Sequence, residues 1–207
     1  CQDSGGTPEQ CLSRDNHIDA IVALNTATGA IRWATGVAGF DNWNAGCIPG
    51  FGFPGNCPVD AGPDADFGSG VNLFTIKTKS ETRKIVGAGQ MSGQYWALDA
   101  ATGKIVWSTA VGPGSALGGV EWGTATDGRR IYVAESNFDR LPYALPNGET
   151  IRTGSWAALA PPTGKLLWQV ADPSGSFDIG PLSTPNGLVY APSMSGHMYA
   201  LDAANGK

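Results

Sequence analysis

Three acidic residues stand at matching points of a sequence that repeats itself: Asp66 in "DFGS" (66–69), Glu121 in "EWGT" (121–124) and Asp178 in "DIGP" (178–181). Carboxylates that recur at one height of a repeating architecture can converge into a ring of hard oxygen donors, an environment suited to calcium. Each could equally cap its own turn or face solvent. A carboxylate beside such a cation can serve as a general base, and Asp66 is the candidate for that role. Trp122, next to the second acid, offers a flat apolar ring on which a planar ligand could stack; ordinary core packing is the other reading. Asn137 ends a strand pattern fifteen residues later, ahead of "FDRLP", where Asn is also a turn former.

Other chemistries find little support. His17 and His197 are isolated in sequence, with no nucleophile or ligand at a recognisable spacing, so surface or packing roles are expected. The Gly-rich stretch "VGPGSALGGVEWG" lacks the Lys-Ser/Thr of a phosphate loop and opens no helical pattern.

What must position these residues is a unit written three times and begun a fourth. It reads "AIVALNTATGAIRWATGVAG" from 20, "QYWALDAATGKIVWSTAVGP" from 94, "SWAALAPPTGKLLWQVADPS" from 155 and "HMYALDAANGK" from 197. The copies align without internal gaps, and their turn glycines, Gly29, Gly103, Gly164 and Gly206, lie 74, 61 and 42 residues apart. The variable length belongs to loops. Each copy is an alternating run, a Gly turn, and a second alternating run carrying Trp33, Trp107 or Trp168, which describes a hairpin. Further strand patterns, "RRIYVAES" and "GLVYAPS", follow Asp-Gly and Asn-Gly turns.

Four strands per repeat, with the Trp packing between neighbours, predict an all-β chain built as a β-propeller of four-stranded antiparallel blades. Three blades and the start of another cannot close a ring. Residues 1–207 are therefore expected to be part of a larger propeller with no second domain in this stretch, and the opening on Cys1 rather than Met suits a start inside a longer precursor.

Composition agrees. With 42% hydrophobic and 15% charged residues the chain can bury a core, and 30 Gly with 14 Pro imply frequent turns rather than long helices. A net charge of −5 without any Lys/Arg run argues against nucleic acid or an anionic membrane as partner, and no apolar run approaches the roughly 18 residues of a membrane span. The four cysteines form two local pairs, Cys1 with Cys11 and Cys47 with Cys57. "CIPGFGFPGNC" is more than half Gly and Pro between its ends and has no His, so a Cys47–Cys57 disulfide is expected over a zinc site. A disulfide implies a secreted or periplasmic location.

The motif Ala-x-Asp-x-x-Thr-Gly-x-x-x-Trp, unbroken from Ala97 to Trp107, resembles the repeat of quinoprotein alcohol dehydrogenases, which carry pyrroloquinoline quinone (PQQ). "FDNWNAGC", "NCP", "GPDADFGSGVNLF", "GQMSGQYWALD" and "GGVEWGTATDGRRIYVAESN" look like the polyvinyl alcohol dehydrogenase-like branch. The resemblance implies an eight-bladed propeller with PQQ and calcium on its axis, oxidising an alcohol that can be polymeric and passing electrons to an acceptor such as a cytochrome. It implies PQQ contacts from Trp122, Gln90 and Glu121, and calcium ligands Asn137, Glu121 and Asp66. Three departures stand out: no adjacent Cys pair, no Cys-x-x-Cys-His for haem, and Met91 where the branch often has Lys after Gln90. Met91 and the missing Cys pair favour the alternative, a non-catalytic propeller scaffold for protein binding or assembly, whereas the acids and Trp122 favour the enzyme.

Overall fold

In a computed structural model, residues 13, 15–39, 41–48, 50, 55–77, 81–115 and 117–207 are described; Cys1 and Cys11 lie outside them. The chain forms two compact units, residues 1–66 and 67–207. In the first, β1 (Ala20–Leu24) and β2 (Ile31–Gly36) make an antiparallel hairpin, and Cys47 and Cys57 are joined by the expected disulfide.

The second unit is a stack of antiparallel sheets. β3 (Asn72–Lys77), β4 (Thr82–Gly89), β5 (Gln94–Asp99) and β6 (Ile105–Ala110) form a four-stranded meander. The next sheet pairs a short β7 (Ala125–Thr126) with β8 (Ile131–Glu135). A small hairpin of β9 (Tyr143–Ala144) and β10 (Thr150–Ile151) intervenes before β11 (Ser155–Leu159) and β12 (Leu166–Ala171) complete the order β7-β8-β11-β12. β13 (Leu188–Pro192) and β14 (Met198–Asp202) form a pair, extended by the Ser183–Tyr190 bridge. The first two are four-stranded antiparallel propeller blades, as the repeat predicts, and β13–β14 belongs to the next.

Burial shows how the sheets stack. β8 and β11 are buried at every position, without the alternation of a half-exposed strand, because both faces of their sheet are covered. Ile131, Val133, Ala157 and Leu159 point into a core shared with Phe74, Ile85 and Tyr95 of the preceding sheet. Tyr132, Ala134, Trp156 and Ala158 point the other way, toward Leu182, Val189 and Leu201 of the following one.

The repeated turn has one design. Gly103 N–H donates to Asp99 O and Gly206 N–H to Asp202 O, each at 2.8 Å, with φ of 71° and 74°, where a Cβ would be strained. The Asp side chain closes the loop by accepting the N–H of Ala101 (3.1 Å) or Ala204 (2.7 Å). The third copy has Ala160 at that position, and its Pro161-Pro162 restricts the turn instead.

Candidate functional site

Within the second unit, backbone hydrogen bonds draw four segments of distant sequence into one strip. Val120 N–H donates to Gln90 O at 3.0 Å, Ser136 N–H to Gly119 O at 2.8 Å, and Asp178 N–H to Ser136 O at 3.4 Å. Gly119, at φ 62°, is required here, since a Cβ would overlap the Met91 carbonyl. Gln90, Glu121, Glu135, Asn137 and Asp178 are thereby buried along one edge of the sheets, each at most 5% exposed. Trp122, at 57% exposed, does the opposite. Its indole faces outward from a segment whose neighbours are buried, so core packing does not account for it.

Gln90 accepts the Ser92 hydroxyl (2.6 Å) and the Trp96 indole N–H (2.9 Å) through Oε1, while its Nε2 is buried with no acceptor. Such an orphan donor suits an anionic group supplied by a ligand. Met91, where the branch often carries Lys, is buried. Glu121 packs over Gly68, whose absent side chain leaves the space it fills.

Glu135 was not a sequence candidate. It lies one residue beyond the paired Ala134 and Trp156, as Gln90 lies one beyond Gly89 and Tyr95, so the two occupy the same blade position. The strand register carried this signal, but the aligned hairpins did not reach it. Burial pushes the Glu135 carboxyl up to about 8, against the N–H groups of Asn137 and Gly119 that favour its ionised form. Asp178 is fully buried above Gly154, and burial followed by the charge of Asp172 pushes it up to about 9. No N–H or O–H reaches either Asp178 oxygen, and the neighbour that acts on it is the Asp172 carboxylate, which favours its protonated form. Burial would raise Asp172 too, but the Ser174 and Ser193 hydroxyls and the Ser174 N–H hold it below the usual carboxylate range.

Asn137 has a left-handed φ of 47°, and its side chain clips a loop. Nδ2 donates to Leu141 O (2.9 Å) and Thr153 O (3.3 Å), while Oδ1 accepts Leu141 N–H (2.9 Å). The turn-forming reading therefore holds, with one lone pair of Oδ1 left for a cation.

Asp66 lies in the first unit and is exposed, against buried Asp19 and near Asp41 and Asp64. Burial first, then Asp66 and the charges of Asp41 and Asp64, push Asp19 up to about 7; burial and the charges of Asp66 and Asp41 push Asp64 to about 6. Asp41 is engaged by the N–H groups of Trp43 (2.9 Å) and Ala65 (2.8 Å). Among the described residues no three His, Cys, Asp or Glu side chains converge to hold a metal unaided. A cation in the second unit would need Asn137, backbone or ligand oxygens besides Glu121.

Comparison with known proteins places this geometry. The family model described as outer membrane protein assembly factor BamB, a PQQ-type repeat model, matches residues 18–145 and 152–207. A polyvinyl alcohol dehydrogenase of Sphingopyxis sp. (strain 113P3) is 33% identical over 198 residues, covering 91% of this chain and 29% of that protein. The chain thus spans under a third of such a relative's length. Among solved structures, the quinohemoprotein alcohol dehydrogenase of Comamonas testosteroni superposes with a TM-score of 0.67 at 17% identity, over 92% of this chain and 34% of that one. BamB of Moraxella catarrhalis gives 0.53 at 17% identity, over 94% and 47%. At such identities the structures establish the fold alone. The chain belongs to the PQQ-type propeller family, and its sequence places it with the polyvinyl alcohol dehydrogenase-like quinoproteins of that family.

Proposed function

We propose that this chain supplies part of the cofactor site of a secreted or periplasmic, PQQ-dependent alcohol dehydrogenase. The observation that carries the reading is the exposed Trp122 ring beside the buried strip of Gln90, Glu121, Glu135 and Asp178. The residues fit the group. Trp122 offers an uncovered aromatic face to a planar ring system, and the Gln90 Nε2 donor suits one of its carboxylates. Glu121 and Asn137 are the side chains that would hold calcium, whose charge would offset the burial that now keeps the neighbouring carboxyls neutral. When bound, PQQ supplies an electrophilic quinone that accepts hydride.

The chain's own part in the reaction is to stack, orient and move a proton. Asp66 was expected as the base, but it is exposed beside Asp19 in the first unit. Asp178, the acid at the matching repeat position two blades on, is buried in the strip with Glu121, and we assign the base to it. Asp178 has no open surface in the cofactor-free chain, so this role requires that the groups enclosing it shift as the alcohol binds; its carboxylate would then take the hydroxyl proton while the carbon-bound hydrogen leaves as hydride. The relatives' name points to an alcohol substrate that can be polymeric, and the resemblance to a cytochrome as electron acceptor.

A scaffold function is the second reading, favoured by the description of the family model, the fold of BamB and the buried Met91. Titrating the cofactor-free full-length protein with PQQ, with and without calcium, separates the two. Trp122→Ala should weaken binding roughly tenfold or more, from lost stacking and burial. Wild-type protein that binds no PQQ at micromolar concentration in either condition overturns the dehydrogenase reading.

A further inference from the structure

Asp178 is wholly enclosed, so a proton it gains must leave through the protein. Asp172 and Asp178 flank Gly154: Asp172 N–H donates to Gly154 O at 3.0 Å, and the Asp178 carboxylate occupies the space a Gly154 side chain would fill. From Asp172 two hydroxyl routes run outward: the exposed Ser174 Oγ donates to Asp172 Oδ1 at 2.6 Å, and a longer line starts at Ser193. Ser193 Oγ donates to Asp172 Oδ2 at 2.5 Å, Ser193 and Ser195 Oγ atoms are 2.7 Å apart, and Ser195 Oγ is 3.0 Å from His197 Nδ1. Asp172 and Ser193 are buried, whereas Ser195 and His197 are exposed, with the imidazole resting on Tyr199. The groups whose charge or proton faces Asp178 are Asp172 and, across the strip, the half-buried Tyr143, whose hydroxyl donates to Ser155 Oγ at 2.7 Å and is not bonded to Asp178.

We propose that Asp172, Ser193, Ser195 and His197 form a proton relay that connects the buried Asp178 carboxyl to solvent. The proton moves from Asp178 to the Asp172 carboxylate. Once the Ser193 hydroxyl, which donates to Asp172 at rest, has turned toward Ser195, Asp172 protonates the Ser193 oxygen as the Ser193 proton passes to Ser195; Ser195 passes its own to His197 Nδ1, and the Nε2 proton leaves to water. Each hydroxyl gains one proton and loses one, so no charge is left on the line, Asp172 returns to its carboxylate, and Asp178 is left as the carboxylate that can accept the next proton. This inference rests on Asp178 as the base only for its use in turnover; the relay itself is a property of the hydrogen-bonded line. His197, isolated in sequence, acquires its partner only through the β13–β14 turn.

The test follows the Asp178 carboxyl by infrared spectroscopy after rapid transfer of full-length protein into D2O, its band assigned by loss in Asp178→Asn. In a Ser174→Ala background, which removes the other hydroxyl on Asp172, Ser193→Ala should slow deuterium exchange of that band at least roughly tenfold, and Ser193→Thr, which keeps the hydroxyl, should restore it. His197→Gln, on the surface and safe for folding, should slow exchange less, and added imidazole should reverse its effect. In turnover with PQQ, Ser193→Ala should lower kcat with KM unchanged. Equal exchange with and without Ser193→Ala in the Ser174→Ala background, or no protonated Asp178 band in wild type, overturns the relay. Relay-dependent exchange in a protein that shows no PQQ-dependent oxidation keeps the relay and defeats the dehydrogenase reading alone.

Discussion

Trp107 of β6 lies flat against Gly164, the turn glycine of the following repeat, and donates its indole N–H to Pro161 O at 2.9 Å. Trp168 of β12 repeats the contact one blade on, covering Gly206 and donating to Ala203 O at 3.1 Å. The turn glycine thus has two reasons to lack a side chain: its positive φ, and the ring of the preceding blade. Gly164→Ala meets both, because a Cβ would stand 2.5 Å from Trp107 Cε3. It should cost about 2–3 kcal/mol, and Trp107→Ala about 3 kcal/mol, measured by urea unfolding of the full-length protein. Trp107→Phe, which keeps most of the buried ring, should cost less.

The Cys47–Cys57 bridge closes a short loop, with a sequence separation of 10. It should contribute about 2–3 kcal/mol. Alkylation without reductant, read by mass spectrometry, should find neither thiol free, and Cys47→Ser with Cys57→Ser should lower the urea midpoint without changing the slope unless the first unit unfolds separately.

Asp178 gives stability a defined pH dependence in cofactor-free protein. A carboxyl raised from 3.8 to about 9 keeps its proton in the folded state after the unfolded chain has released it. Its contribution is therefore complete below the ordinary carboxylate range and drains away as pH rises toward about 9. Thermal melts across that window should show a falling Tm for wild type and a flatter profile for Asp178→Asn, which cannot ionise.

Asn137 combines a left-handed backbone with a side-chain clip, and two substitutions separate these. Asn137→Gly keeps the φ of 47° accessible and removes only the clip on Leu141 and Thr153; Asn137→Ala removes both. The Ala variant should be less stable than the Gly variant by about 1 kcal/mol in chemical denaturation. Both should weaken PQQ binding in low calcium, with partial recovery in excess calcium if Asn137 also holds the ion.

The blades were legible in sequence because each hairpin is a local object. Alternation, the Asp-x-x-Thr-Gly turn and the Trp four residues after Gly act within about twenty residues, and the gapless copies fixed the strand pattern without any tertiary information. From spacing alone the candidate site was legible only where it coincided with that repeat, as Glu121, Trp122 and Asp178 do, while Gln90 and Asn137 entered through the family resemblance. Burial of Glu121 and Asp178 beside an exposed Trp122 could not be read from their types, since exposure depends on which neighbouring sheet covers each face. Glu135 escaped notice because its equivalence to Gln90 runs through strand pairing, and the line from His197 because its local Ser193 and Ser195 join Asp172 only across two blades. Sequence alone determined the repeat, its turns and the wedge that joins each blade to the next, all set by short-range sterics and periodicity. Tertiary structure decided which carboxyls lose water and which hydroxyls line up, because desolvation and hydrogen-bond continuity arise only when segments far apart in the chain are packed together.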